Sequence, residues 1–205
     1  MKKYFVTVAG NIGAGKTTLT SVLSKHFSWH PFYESADGNP YLSNFYHDME
    51  KWAFHSQIYF LIQKVKTSHS ISKHDKSIIV DRTFYEDGEI FAKNLYEIGK
   101  INDIDYSTYM ELYNLLTDVL PKPDLMIYMQ ADVDFLYNRI TDRSRKYEND
   151  ISKKYLSQLN NYYEDWIQRY KESKLLIINP KEFDYLNNKE HLNSISEQIK
   201  KIIGM

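Results

Sequence analysis

A glycine-rich segment, residues 10–17, constrains this chain more than any other feature. It reads Gly-Asn-Ile-Gly-Ala-Gly-Lys-Thr and fits the pattern G-x-x-x-x-G-K-[ST]. It follows a β-prone run, residues 4–9, and precedes a helical pattern, the context that separates a phosphate-binding loop (P-loop) from a chance match. The glycines let successive N–H groups turn toward an anionic oxygen, and the following helix adds the positive end of its dipole. The sequence therefore predicts a nucleotide site in an α/β fold.

The residue types in this loop suggest separate tasks at the nucleotide. We expect Lys16 to reach the transferring phosphate and the Thr17 hydroxyl to bind Mg²⁺, which bridges two phosphate groups. ATP, or another nucleoside triphosphate, is the expected phosphoryl donor. The loop residues predicted to contact it are Gly10, Asn11, Ile12, Gly13, Ala14, Gly15, Lys16, Thr17 and Thr18.

Short apolar runs predict the strands of a sheet. The runs are residues 4–9, 77–80, 125–129 and 175–178, with a weaker one at 29–33. Helical patterns at 42–69, 89–120, 133–145 and 153–172 lie between them. Strands that alternate with helices indicate βαβ units. We therefore predict one α/β domain, residues 1–205, with a five-stranded parallel sheet flanked by helices.

Composition limits the partners of this domain. The 26 basic and 27 acidic residues give a net charge of −1 and are mixed along the chain, so an extended nucleic-acid or membrane surface is not expected. The chain has no cysteine, which fits a reducing compartment, and the cytoplasm is the expected location. No window approaches the roughly 18 apolar residues of a membrane span. A small molecule is the expected partner.

Polar residues follow two of the predicted strands, Glu34 after the weak one and Asp81-Arg82 after residues 77–80. In a parallel sheet the carboxyl ends of the strands form the ligand-binding edge. A carboxylate there can accept the proton of an attacking hydroxyl. Asp81 can hold Mg²⁺ through water, and the forked guanidinium of Arg82 suits phosphate oxygens. On position alone, a solvated glutamate and a structural Asp–Arg pair are the alternatives.

With these residues in place, the chain resembles the deoxyribonucleoside kinase family, in particular its bacterial deoxyadenosine/deoxyguanosine kinase branch. The resemblance covers nearly the whole chain and implies a P-loop kinase fold that transfers the γ-phosphoryl of ATP to the 5′-hydroxyl of a deoxynucleoside, in nucleotide salvage. The segments that carry it occur in the family's order: the P-loop; Glu34 followed by Asn39-Pro40-Tyr41-Leu42; Trp52-Ala53-Phe54-His55-Ser56-Gln57; Asp81-Arg82-Thr83, where relatives often have Glu-Arg-Ser; Ile90-Phe91-Ala92-Lys93-Asn94-Leu95-Tyr96; and an arginine-rich lid.

The resemblance also implies roles for single residues. Glu34 would be the general base, and Arg82 would position the 5′-oxygen and the transferring phosphate. Tyr46 and Glu148 match the positions that hold the sugar 3′-hydroxyl, Gln57 matches the base-reading glutamine, and Phe91 matches the aromatic residue that stacks on the base. The substrate-binding residues predicted in this way are Glu34, Tyr46, Gln57, Lys64, Arg82, Asp87, Phe91 and Glu148.

The predicted lid follows residues 133–138. Its sequence, Arg139-Ile140-Thr141-Asp142-Arg143-Ser144-Arg145, puts Arg139 and Arg143 four apart on one helical face, so both can converge on phosphate when the lid closes. We therefore predict both as catalytic residues, with Lys16, Glu34 and Arg82. A solvated basic helix end is the alternative. Near the C-terminus, the resemblance places Lys181-Glu182-Phe183 at the donor base, with Phe183 as the contact.

One departure from the family concerns the base. Many relatives carry an arginine seven residues after the glutamine, beside the acid matched by Asp87, but this chain has Lys64. Lysine is a point charge and cannot make arginine's planar two-pronged contact. Deoxyadenosine is the expected substrate, with deoxyguanosine or deoxycytidine as alternatives.

Two other functions share the P-loop. A nucleoside monophosphate kinase of the thymidylate kinase kind needs a cation near its acceptor phosphate, and no arginine occurs between Glu34 and Leu42. A nucleotide-dependent switch should carry guanine-reading motifs, which the sequence lacks. The resemblance further implies a homodimer that pairs through the helical regions 42–69 and 89–120.

Overall fold

The apolar runs form the central sheet of the molecule. A computed structural model of the chain describes residues 2–34, 38–143 and 151–205. In these residues the strands are β1 Phe5–Ala9, β2 His30–Phe32, β3 Ile78–Asp81, β4 Leu125–Met129 and β5 Lys174–Ile178. They pair in parallel in the order β2-β3-β1-β4-β5. The predicted five-stranded parallel sheet is confirmed, with strand ends that differ from the predicted ones by at most one residue.

The helices cover both faces of this sheet. A π-helical turn, Asp87–Ala92, leads directly into the fourth helix. The helices are α1 Lys16–Phe27, α2 Leu42–His47, α3 Met49–Ser72, α4 Lys93–Glu97, α5 Asp103–Val119, α6 Val133–Arg143, α7 Lys153–Arg169 and α8 Lys189–Ile203. Among the described residues, none of these helices combines the length and apolar character that crossing a membrane requires.

Two of the predicted helices are interrupted by helix caps. The pattern at 42–69 divides at Asp48, whose side chain accepts a hydrogen bond from the Lys51 N–H and so begins α3. The pattern at 89–120 divides where Gly99 adopts φ 70°. The chain then restarts at Asn102, whose side chain accepts from the Asp105 N–H at the start of α5. The apolar periodicity continues through both breaks, so it did not indicate that the chain changes direction at these caps.

The C-terminal helix α8 was not among the predicted elements. It buries Ile195, Ile199 and Ile203, which recur every four residues and so form one apolar stripe. Asn188 caps its start by accepting hydrogen bonds from the N–H groups of Glu190 and His191. Its apolar stripe completes the core on one face of the sheet.

Alternation along β4 separates two cores. Ile127 and Leu125 belong to the cluster that also contains Val6 and Val8 of β1. Met126 and Tyr128 belong to the cluster on the other side, built mainly by residues of α7. All of β4 is buried, as expected for a central parallel strand covered by helices on both faces. The sheet is thereby fixed on both sides, and its strand ends are held at one edge.

Candidate active site

The P-loop connects the end of β1 to the start of α1. Its glycines are required by close approaches: a Cβ on Gly13 would lie 2.6 Å from the Leu136 carbonyl oxygen, and one on Gly15 would lie 2.9 Å from Nη1 of Arg139. Both glycines also have positive φ values, 88° and 95°. Because Gly15 is the N-cap of α1, no side chain occupies the helix N-terminus, and its N–H groups remain available to an anion.

Lys16 is the first residue of α1 and is buried. Its ammonium group donates to the Asn11 carbonyl oxygen, 3.0 Å away, within the loop itself. Burial, followed by the nearby Arg82 charge, lowers the pKa of Lys16 to about 8. An anion in the loop would offset both of these effects, so the site favours a phosphate ligand.

The ends of β3 and the P-loop meet at Thr17 and Asp81. The Thr17 hydroxyl donates to Oδ2 of Asp81 at 2.5 Å. The other oxygen, Oδ1, is buried and has no hydrogen-bond partner among the described residues. Burial raises the pKa of Asp81. A hydroxyl beside a carboxylate with one unpartnered oxygen is a donor set that fits Mg²⁺, which prefers oxygen ligands.

Glu34 lies between two cations. Its Oε2 accepts from Nε of Arg82 at 2.7 Å, and its Oε1 lies 3.3 Å from the ammonium of Lys64. Burial opposes ionisation of this carboxyl group, but the charges of Arg82, Lys64 and Lys16 outweigh it and lower the pKa of Glu34 to about 2. The alternative of a solvated loop glutamate is therefore wrong, because the Glu34 side chain is only 18% exposed.

Arg82 contacts several charged and polar residues of the site. It adopts φ 73°, a left-handed conformation that is uncommon for a residue with a side chain. Its guanidinium carbon lies 4.6 Å from the centre of the Phe91 ring. Nε pairs with Glu34, and Nη1 contacts Glu86 and Tyr163. Within the described part of the chain, Nη2 makes no hydrogen bond.

A cavity of about 460 Å³ joins the P-loop to these residues. Its volume falls in the range of small-molecule sites. On the P-loop side, the predicted residues that border it are Ile12, Gly13, Gly15, Lys16, Thr17 and Thr18. On the other side, they are Glu34, Tyr46, Gln57, Asp81, Arg82, Asp87 and Phe91. Residues from seven separated segments of the sequence therefore converge on one cavity.

Two buried polar groups face the far end of this cavity without partners. Oε1 of Gln57 and Oδ2 of Asp87 have no hydrogen bond to any residue that the structure describes. Burial is the largest influence on Asp87 and raises its pKa to about 7, although the Lys64 charge opposes this. Buried polar atoms normally have partners, so these two identify a surface suited to a polar ligand.

Lys64 does not join Asp87. Its ammonium donates instead to Glu34 and, at 3.1 Å, to the Arg82 carbonyl oxygen. The replacement of arginine by lysine put the partnership with Asp87 in doubt, and the structure gives Lys64 hydrogen bonds to the strand-end residues Glu34 and Arg82 instead. Burial lowers the pKa of Lys64, but the charges of Glu34 and then Asp87 outweigh this effect, so the pKa of Lys64 is raised overall.

The two lid arginines, Arg139 and Arg143, are on α6 and both border the cavity. The guanidinium of Arg139 packs over Gly15 of the P-loop and lies 5.3 Å from the Phe135 ring centre. Arg139 therefore lies on the P-loop side of the cavity, and Arg143, four residues further along the same helix, borders the same cavity. Residues 144 and 145 of the predicted lid lie outside the described residues.

Other predicted site residues lie elsewhere. The Asn11 side chain leaves the cavity and donates to Asn160 and to the Leu156 carbonyl, which ties the P-loop to α7. Gly10, Ala14 and Lys64 do not border the cavity. Phe183 does not border the cavity, and its ring meets His191 edge-on at 5.8 Å. Glu148 lies outside the described residues.

Glu86 and Tyr163 are site residues that the sequence analysis missed. Both are buried and both contact Arg82. Glu86 is adjacent to the predicted residue Asp87 and lies five residues after the end of β3, so its position gave a signal. No sequence pattern indicated Tyr163, because its contact with Glu86 spans 77 positions. Leu42, Phe45, Phe60 and Tyr155 also border the cavity and were not predicted.

Known proteins resemble this chain in both sequence and fold. The deoxynucleoside kinase family description matches residues 6–204. A deoxyadenosine/deoxycytidine kinase of Bacillus subtilis is 37% identical over 204 residues, which covers 98% of this chain and 94% of the relative. A deoxyguanosine kinase of Lactobacillus johnsonii is 34% identical, with 95% and 90% covered.

Solved structures agree with these relatives. A deoxyadenosine kinase from M. mycoides, with the products dCMP and a flexible dCDP bound, has a TM-score of 0.85 and 30% identity, covering 96% of this chain and 99% of its own. The same enzyme with bound dATP gives a TM-score of 0.84 at 28% identity. The P-loop kinase fold and its family are thereby confirmed: this chain belongs to the deoxynucleoside kinase family.

Proposed function

We propose that this enzyme transfers the γ-phosphoryl group of ATP to the 5′-hydroxyl of deoxyadenosine in nucleotide salvage, with deoxyguanosine or deoxycytidine as the alternative main substrate. The observation that carries the proposal is the pair of Glu34 and Arg82, 2.7 Å apart, on the same cavity as Lys16 and Thr17. This arrangement provides a proton acceptor beside a phosphate site, as transfer to a neutral hydroxyl requires.

Glu34 accepts the proton of the 5′-hydroxyl in this proposal. With a pKa of about 2, the carboxylate is ionised at neutral pH but is a weak base. Phosphoryl transfer passes through a loose transition state in which catalysis depends mainly on positioning and electrostatic stabilisation. Glu34 therefore orients the hydroxyl as a hydrogen-bond acceptor first and takes the proton as the new bond forms.

The transferring phosphate lies among cations. Lys16 exchanges the Asn11 carbonyl for a phosphate oxygen, and Arg139 and Arg143 approach from the lid side. Arg82 contributes Nη2, since its Nε and Nη1 already have partners. These donors stabilise the charge that spreads over the phosphoryl oxygens, the largest electrostatic demand of the reaction.

Thr17 and Asp81 are the residues that would hold Mg²⁺. The unpartnered Oδ1 of Asp81 and the adjacent Thr17 hydroxyl support this assignment. A bound Mg²⁺ would neutralise part of the negative charge on the phosphate groups of the donor. Thr17 and Asp81 also align the end of β3 with the P-loop through their direct hydrogen bond.

The nucleoside occupies the far end of the cavity. Phe91, stacked under Arg82, offers a flat face to the base. The Gln57 amide can donate and accept together, which matches the paired donor and acceptor of adenine or cytosine. Asp87, with a pKa of about 7, can act in both ways as well. We assign the sugar 3′-hydroxyl to Tyr46, which borders the cavity, and to Glu148.

A substrate panel tests the proposal. Purified enzyme is given ATP and Mg²⁺ with deoxyadenosine, deoxyguanosine, deoxycytidine, thymidine or dTMP, and the phosphorylated product is quantified. We expect the highest kcat/KM with deoxyadenosine. A preference for dTMP would contradict a hydroxyl acceptor, and a preference for thymidine would contradict the assignment of the base-reading residues.

The role of Glu34 has its own test. Glu34→Gln keeps the shape of the side chain but removes its capacity to accept a proton. We expect turnover to fall by at least about a hundredfold, the usual scale of general-base catalysis, while nucleoside binding persists. Glu111→Gln, an exposed residue of α5, is the matched control. Unchanged turnover of Glu34→Gln would remove Glu34 from the mechanism.

We further propose that the enzyme is a cytoplasmic homodimer. Exposed apolar side chains recur along α5, with Ile104 80%, Leu115 61% and Val119 74% exposed, and Ile62 of the adjacent α3 is 46% exposed. A second copy of the chain would cover this surface. Leu115→Asp should give a monomer in light scattering, whereas Leu186→Asp, at a separate exposed position, should not. An unchanged mass for Leu115→Asp would contradict this face as the interface.

A further inference from the structure

Glu86 is a fully buried carboxylate with no task in the mechanism described above. It accepts four hydrogen bonds. Oε2 accepts from the Thr83 N–H at 2.6 Å. Oε1 accepts from the Gly10 N–H at 3.1 Å, from Nη1 of Arg82 at 3.3 Å and from the Tyr163 hydroxyl at 2.7 Å. A buried charge is costly unless it is paired and hydrogen-bonded, so this set compensates Glu86 fully.

Tyr163 approaches the same groups from α7. Its hydroxyl accepts from Nη1 of Arg82 at 3.0 Å and lies 2.9 Å from the Gly10 carbonyl oxygen. The ring is fully buried and packs against Tyr128, with 5.8 Å between the ring centres. The hydroxyl is therefore held by a rigid ring and contacts the residues that Glu86 contacts.

Arg82 and Gly10 belong to different parts of the site. Gly10 begins the P-loop at the end of β1, and Arg82 follows β3 on the acceptor side. Glu86 and Tyr163 each contact both of them. The two side chains also hold Nη1, which fixes the plane of the guanidinium while Nε pairs with Glu34. The geometry therefore links the donor loop, the arginine and the proton acceptor.

We propose that Glu86 and Tyr163 are positioning residues that fix Arg82 and the first P-loop glycine relative to each other, so that donor phosphate and acceptor hydroxyl meet in the reactive geometry. This inference rests on the proposed role of Arg82. Neither residue borders the cavity, so neither touches substrate. They act through the orientation of Arg82 and Gly10.

Tyr163→Phe tests the proposal with the smallest change. It removes only the hydroxyl that contacts Arg82 and Gly10. We expect kcat to fall about tenfold to a hundredfold, the scale of small misplacements of reacting groups. The KM values for nucleoside and ATP should stay within about twofold, since the lost interaction acts in the transition state. Glu86→Gln should act in the same direction.

Tyr128→Phe is the matched control. It removes a tyrosine hydroxyl from the same core cluster, but that hydroxyl contacts Glu164 and neither Arg82 nor Gly10. We expect its kcat to equal that of the wild type. Equal kcat values for folded Tyr163→Phe and Tyr128→Phe would overturn the proposal. If Glu86→Gln does not fold, Tyr163→Phe decides alone.

A double-mutant cycle separates positioning from a structural role. In an Arg82→Lys background the guanidinium is absent, so Tyr163→Phe should lower kcat by at most about twofold further. The same loss in both backgrounds would contradict action through Arg82. The proposed function is judged separately: a wild-type chain without deoxynucleoside kinase activity contradicts that function, whereas active wild type with unaffected Tyr163→Phe contradicts only the positioning role.

Discussion

The ammonium group of Lys64 lies 3.3 Å from Oε1 of Glu34, on the side of the carboxylate opposite to Arg82. Arg82 holds the other oxygen at 2.7 Å. Both carboxylate oxygens therefore have a cationic partner, and the group is stabilised as an anion. Lys64 thus pairs with the proposed proton acceptor, whereas the family resemblance relates its position to recognition of the nucleobase.

Removing the Lys64 charge should change the pH dependence of the reaction. With Lys64→Met, the loss of a nearby cation raises the pKa of Glu34, because a positive charge favours the ionised form. We expect the acid limb of the kcat/KM profile to move to higher pH by roughly one unit. Activity at pH 8 should change much less than activity at about pH 3, because the pKa of Glu34 is about 2 in the wild type. Profiles measured between these pH values check the shift.

Lys66→Met is the control for this shift. Lys66 is on the same helix, two residues further on, and is exposed. Its replacement removes one positive charge without changing the neighbours of Glu34, so the acid limb should stay in place. Identical profiles for Lys64→Met and the wild type would show that Glu34 does not control this limb.

Asp87 should make stability depend on pH. Its pKa is raised to about 7 in the folded protein, against about 4 in an unfolded chain. Between these values the folded state binds more protons, so stability falls as pH rises and the loss is complete above the folded pKa. Asp87→Asn removes this loss and should stabilise the protein at pH 8 by about 2–4 kcal/mol relative to its effect at pH 4.

Chemical denaturation of both proteins at several pH values measures this difference. Asp118→Asn, an exposed residue of α5, should give a difference from wild type that does not change with pH. A stability difference for Asp87→Asn that is flat between pH 4 and pH 8 would contradict a raised pKa of Asp87.

The sequence predicted the parts of the site that depend on local order along the chain. The P-loop, Glu34 and Asp81-Arg82 all follow strands, and parallel strands bring their carboxyl ends to one edge. The order of apolar runs therefore predicted that these residues meet. The four-residue spacing of Arg139 and Arg143 likewise predicted a shared face on α6.

Contacts between distant elements could not be predicted in this way. Tyr163 is on α7 and reaches Glu86 only because the two pack on one face of the sheet. The reach of Lys64 toward Glu34 depends on the rotation of α3 and on side-chain length. The helix breaks, in contrast, could have been predicted. Asp48 and Asn102 are N-caps of the following helices, and aspartate and asparagine are residue types that mark helix starts in a sequence.

Replacement of Gln57 should maintain or raise the stability of the protein but weaken the binding of the nucleoside. Its buried Oε1 has no partner in the described structure, which costs stability in the absence of nucleoside. Gln57→Leu should therefore melt at the same or a higher temperature than the wild type. It should raise the KM for deoxyadenosine by about tenfold to a hundredfold, the usual value of a buried hydrogen bond, and leave the KM for ATP unchanged. Gln63→Leu, on the same helix, is the control.

A side chain at position 88 should clash with the ring of Tyr113, and removal of that ring should relieve the clash. In the π-helical turn, a Cβ on Gly88 would lie 2.7 Å from ring carbons of the buried Tyr113. Gly88→Ala should thus destabilise the protein by about 1–3 kcal/mol, the cost of overpacking a core. Tyr113→Ala alone should cost about 3–5 kcal/mol. Because the double variant has no ring to meet the new methyl group, its loss should be smaller than the sum of the two, by at least about 1 kcal/mol. Denaturant unfolding of the four proteins measures this coupling, and strict additivity would contradict the contact.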